Sequence, residues 1–91
     1  QLYEIFEGRV KRNDYQLSAQ AAERMRTYLE DLYQHRDDNF GNARDVRNLF
    51  EKIVSRQADR VAKLEAPTDA QILTIEAEDL DEVLKDDRSN L

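Results

Sequence analysis

Cysteine and tryptophan are absent from this 91-residue chain, and proline, histidine and methionine occur once each. Without cysteine there is no disulfide and no thiolate metal site, as suits a cytosolic protein, and we expect a cytoplasmic location. Two glycines and one proline are too few for an all-β fold of many short strands and turns. No apolar run approaches the ~18 residues that a membrane span needs, and no segment reads as a secretory signal. The lone histidine, His35, has only Asp37 and Asp38 as near neighbours able to share a metal. A solvated helix end, where a cation suits the dipole, is its expected place, and no metal site is expected. Nucleophile constellations need a cysteine or a usable histidine, so no catalytic residue is expected. There is also no GxxxxGKS/T phosphate loop and no apolar run ending in paired acids. This chain alone has no means of holding magnesium and ATP.

What the sequence has is charge. Charged residues make up 37% and apolar residues 40% of it, a composition that favours helices and a single small domain with a modest core. The formal net charge is -6, whereas a nucleic-acid module is basic; neither a nucleic-acid nor a membrane partner is expected. The acids gather late, in Glu76-Ala77-Glu78-Asp79-Leu80-Asp81-Glu82 and Asp86-Asp87, and read as a solvated face; the middle is richer in arginine.

Leu2, Ile5, Phe6 and Val10 recur at helical spacing and predict a first helix to about Lys11 or Arg12. Leu2 enters this pattern with no cap before it, so we expect a piece of a longer protein. Gly8 inside the helix costs about 1 kcal/mol relative to alanine. It is either a tolerated weak spot or a place where a neighbour packs closely. Asn13 to Gln16 reads as a turn. Ser18 is the expected N-cap of a second helix, with Ala22, Met25, Leu29, Leu32 and Tyr33 as its buried stripe and an end between Tyr33 and Arg36.

A third helix, from Ala43 to about Leu64, carries Val46, Phe50, Ile53, Gln57, Val61 and Leu64 on one stripe, widened by Leu49, Val54 and Ala58. At about 33 Å it can cross a domain of this size and is the expected spine. Gln57 is its polar exception; if buried, its amide needs a helix carbonyl or a loop backbone as partner. Pro67 stops the helix. Gln71 to Ile75 reads as a short extended segment, and Leu80, Val83 and Leu84 give a last helix from about Ala77 to Lys85. The expected fold is all-α, four helices with one short extended segment, over residues 1–85, with 86–91 as a frayed tail. The expected core is Phe6, Met25, Leu29, Leu32, Val46, Phe50, Ile53, Val61, Leu80 and Leu84.

The turn before the third helix holds the candidate binding residues. Gly41 suits a tight turn. Asn42 suits an N-cap, with Asp45 three residues on as a weak capping box. Arg44 then falls at the second helical position, beside free backbone N–H groups and the positive end of the dipole. Such a place suits an anion, phosphate most commonly. From spacing alone Arg44 also reads as an ordinary first-turn residue paired with Asp45 or Asp38.

Gly41-Asn42-Ala43-Arg44, followed by Val46-Arg47-Asn48 and Arg56-Gln57-Ala58-Asp59-Arg60, resembles the C-terminal helical lid of AAA+ ATPases. Within these it is most similar to the CbxX/CfqX group, which includes red-type Rubisco activases and stage V sporulation protein K-like ATPases. The similarity runs from about Leu2 to Leu84. It implies a four-helix lid bundle whose Gly41, Asn42, Ala43 and Arg44 form a sensor-2 motif, with Arg44 reaching the γ-phosphate of ATP. The implied cofactor is ATP in the parent protein, with magnesium held by the larger domain. The implied partners are that AAA+ large domain, neighbouring subunits of a homo-hexamer, and a protein client remodelled by hydrolysis. Arg47 reads either as a second anion contact or as part of a salt bridge, and Arg56 and Arg60 as an interface or a solvated face. The alternative is a stand-alone helical protein-interaction module without a nucleotide role.

Overall fold

The structure, a computed structural model, describes residues 2–35 and 43–89. Its elements are α1 (Leu2–Arg12), β1 (Gln16–Leu17), α2 (Ala19–His35), α3 (Ala43–Ala62), α4 (Asp69–Leu73), β2 (Thr74–Ile75) and α5 (Ala77–Ser89). The domain is all-α in class, as the periodicities imply, but its described residues form five helices where four are expected. The extra one is α4, which takes up most of the expected extended segment. Its cause is local. The Thr68 hydroxyl accepts from the Gln71 amide at 3.1 Å, and the Gln71 side chain accepts from the Thr68 amide at 2.8 Å. This is a complete capping box, strong enough to wind the one turn that follows it.

Only Thr74 and Ile75 remain extended. They pair in parallel with Gln16 and Leu17, Gln16 opposite Thr74 and Leu17 opposite Ile75. A strand at Gln16 is unexpected, because Asn13 to Gln16 reads as a turn. The turn itself is tighter: Asp14 takes a left-handed φ of 64°, which a short polar side chain tolerates. The Tyr15 amide then returns to the Val10 carbonyl at 2.9 Å. Two strands of two residues cannot hold together alone. The ladder is continued by the Ser18 amide, which donates to the Ile75 carbonyl at 3.0 Å, and Ser18 also caps α2 through the Ala21 amide at 3.1 Å.

The third helix is the spine. It packs against α1, α4, β2 and α5, and α2 closes the bundle against α1 and α5. Phe50 and Ile53 are buried, and Phe50 meets the edges of Phe6 and Tyr15 with ring centroids 6.2 and 6.1 Å away, the T-shaped arrangement that aromatic quadrupoles favour. Phe6, Met25, Leu29, Leu32, Val46 and Leu80 are buried as expected, but Val61 and Leu84 are only half-buried. Leu2, Tyr3, Val10, Ala21, Tyr28, Leu49, Ile75 and Val83 complete the core. Ile5, Tyr33 and Leu64, assigned to buried stripes by period, are exposed. They lie at the margins of stripes whose centre is set by the neighbouring helix rather than by spacing. The spine ends at Ala62 rather than Leu64, and α5 continues past Lys85 to Ser89.

Gly8 resolves in favour of the weak spot. Among the described residues no atom beyond the local helix lies within 4 Å of where a Cβ would stand. Gly8→Ala should therefore raise the unfolding free energy by about 0.5–1 kcal/mol, by removing backbone freedom from the unfolded chain. A urea titration checks this, and a lower midpoint would contradict it.

Candidate functional site

Arg44 is the second residue of α3, and its side chain is exposed. The helix presents Val46, Leu49, Phe50 and Ile53 to the core, and Arg44 stands off that stripe. Among the described residues nothing forms an ion pair or hydrogen bond with its guanidinium, so the pairing with Asp45 weighed above is not made; Asp45 is half-buried and engaged elsewhere. Ala43 opens the helix. Gly41, Asn42 and Asp38, with the turn and cap expected there, lie outside the described residues, as do Asp37 and the side chain of His35. What the described part offers an anion is an uncommitted cation in the first turn of a 20-residue helix, where the dipole adds to its charge. It fits a phosphate oxygen. Among the described residues no group of three or more carboxylate, histidine or cysteine side chains is placed to hold a metal ion.

The other arginines singled out by sequence have different roles. Arg47 reaches Glu51 at 3.7 Å, one turn along the same helix, and both are about half exposed or more, a surface salt bridge. Such a pair contributes little stability. Arg56 meets Glu82 of α5 at 2.7 Å. Arg60 is more committed. Its Nε donates to Asp79 Oδ1 at 2.8 Å, and its Nη2 donates to Asp79 Oδ2 at 3.1 Å and to the Thr74 carbonyl at 3.2 Å. Asp79 is 2% exposed. Its Oδ2 also accepts from the Glu76 amide at 2.8 Å, which caps the start of α5. The hydrogen bonds that Arg60 donates to Asp79 raise the Arg60 pKa above its ordinary value, outweighing the partial burial that opposes them. So Arg56 and Arg60 join α3 to α5 within the chain, where an interface or solvated face is expected.

Gln57 is buried and finds its partners in the backbone of the next element. Its Nε2 donates to the Ile72 carbonyl at 2.6 Å and to the Thr74 carbonyl at 3.2 Å. Ile72 lies in the last turn of α4 and Thr74 opens β2, so Gln57 holds the junction between the two elements. Gln57 and Arg60 thus share the Thr74 carbonyl at the start of β2. Asp79 is the participant that sequence reading misses, because there it belongs to an acidic run that reads as a solvated face. Its signal is its position three residues after Glu76, the reciprocal half of a capping box.

A groove of about 930 Å³ runs between α2 and α5, lined by residues including Glu23, Thr27, Tyr28 and Leu84 and crossed by the Arg24–Asp81 ion pair. No residue of α3 lines it, so it is separate from Arg44. Among the described residues no helix is long and apolar enough to cross a membrane.

Compared with known families, residues 1–90 match the AAA lid domain. The chain belongs to that family: it is the helical lid associated with an AAA+ ATPase domain. No curated protein matches it.

Proposed function

We propose that this lid belongs to an ATPase of the CbxX/CfqX type and that Arg44 is its sensor-2 arginine. On this reading Arg44 contacts the γ-phosphate of ATP held by the ATPase domain of a cytoplasmic homo-hexamer, in which that domain also keeps the magnesium. On the same reading Gly41, Asn42 and Ala43 belong with it to the sensor-2 motif. An arginine on a separate rigid body touches that phosphate only when the two bodies stand at one angle. Loss of the phosphate removes a charge-assisted, bidentate contact and favours another angle. Hydrolysis thereby becomes rotation of the lid and remodelling of a protein client.

The observation that carries this reading is the exposed guanidinium of Arg44. It lies off the core stripe in the first turn of α3 and is unpaired among the described residues, while Arg47, Arg56 and Arg60 are committed to carboxylates of the chain. The test is ATP turnover of the intact ATPase with Arg44 replaced. Unchanged turnover would leave the lid without a sensor-2 role for Arg44.

A further inference from the structure

The Arg56-Gln57-Ala58-Asp59-Arg60 run is part of the family resemblance, yet it takes no part in the phosphate contact proposed above. Three of its side chains instead fasten one end of α3. Gln57 holds the Ile72 and Thr74 carbonyls, Arg60 forks onto Asp79 and the Thr74 carbonyl, and Arg56 pairs with Glu82. The other half of the helix is held by Val46, Leu49, Phe50 and Ile53. Those apolar contacts are non-directional: they keep helices together but resist small rotations about the helix axis weakly. Directed hydrogen bonds at the far end fix that rotation.

Rotation matters because Arg44 stands off the apolar stripe. With side chains, a helix has a radius of about 5–6 Å, so a turn of about 10° carries an arginine head by roughly 1 Å. A misplacement of that size can cost a reacting group about 100-fold in rate. We propose that Gln57 and Arg60 are positioning residues for Arg44. They lock α3 to β2 and α5 and so set the direction in which a guanidinium about 20–24 Å further along the helix points. The proposal rests on the sensor-2 reading of Arg44.

The test is ATP turnover and melting temperature of the intact ATPase in a four-way set: parent, Arg44→Ala, Arg60→Lys and both together. Lysine keeps a cation beside Asp79 but loses the fork that reaches Asp79 and the Thr74 carbonyl together. Arg60→Lys is expected to lower kcat about 10-fold in the parent. In the Arg44→Ala background it should lower kcat less than about 2-fold, because aiming an absent arginine has no effect. The two changes in melting temperature should add. Gln57→Leu, which keeps the bulk and removes both carbonyl contacts, should give the same pattern and serves if Arg60→Lys does not fold. An equal loss in both backgrounds, or no loss in the parent, overturns the positioning role while the reading of Arg44 stands. Unchanged turnover in Arg44→Ala alone overturns both.

Discussion

Arg44→Ala in the intact ATPase should lower ATP turnover by about 100-fold or more while leaving the fold almost as stable as before. The two effects differ because of where the residue lies. An exposed side chain off the buried stripe leaves no cavity when truncated, and such changes usually stay within about 0.5 kcal/mol. For a domain of this size that is about 2–4 °C in melting temperature. A cation held against a transferring phosphoryl group acts where charge develops in the transition state, and losing one such contact costs about 100-fold or more, equivalent to about 2.7 kcal/mol of barrier. The transition-state effect is thus roughly five times the expected stability effect, and turnover measured beside melting separates them. Arg44→Lys should fall between, since it keeps the charge and loses the planar fork. The 91-residue domain should bind ATP negligibly by itself, because one arginine and a helix start do not replace a phosphate loop. A fall in melting temperature that accounts for the lost activity would make Arg44 a structural residue.

The largest stability effect is expected at Arg60. Arg60→Ala leaves the Asp79 carboxylate, 2% exposed, with the Glu76 amide as its remaining hydrogen bond of those described above. Breaking a buried pair from one side costs about 3–5 kcal/mol. Against a typical domain stability of about 5–15 kcal/mol, that is enough to lower the melting temperature of the domain by at least about 12 °C. The double variant Arg60→Ala, Asp79→Ala should melt higher than the single one. Removing both partners removes the uncompensated charge, although the cap on α5 is lost with it. A single variant that melts within 3 °C of the parent would mean that water reaches Asp79 and that the pair contributes little.

Much of this domain is legible in its sequence. The 3.6-residue recurrence of Phe6, Met25, Leu29, Val46, Phe50 and Ile53 identifies the helices and most of the core, because a periodic apolar face has to be buried somewhere. The serine cap at Ser18 and the stop near Pro67 are equally local. So is the Thr68–Gln71 capping box, although the β-branched Ile72, Thr74 and Ile75 that follow favour an extended reading. The resemblance of Gly41 to Arg44 and of the Arg56–Arg60 run to AAA lids is also carried by adjacent residues, and the family match over residues 1–90 agrees with it.

Other features were decided only by the tertiary structure. Whether Ile5, Tyr33 and Val61 are covered depends on which helix lies opposite, so period alone assigns the margins of a stripe wrongly. The pairing of Gln16 with Thr74, 58 residues apart in number, has no local signature in segments of two residues. Gln57 announces itself as a polar residue on an apolar stripe, but that its amide would bridge α4 and β2 follows from both being brought beside α3. Arg60 sits in an ordinary helical context, and the position of Asp79 three residues after Glu76 signals only a helix cap, so neither neighbourhood shows that the two form a buried pair. Local sequence determined the helices, their caps and the family. The partners of the buried polar groups were determined by packing, because a hydrogen bond between distant residues exists only after the apolar faces have brought their helices together.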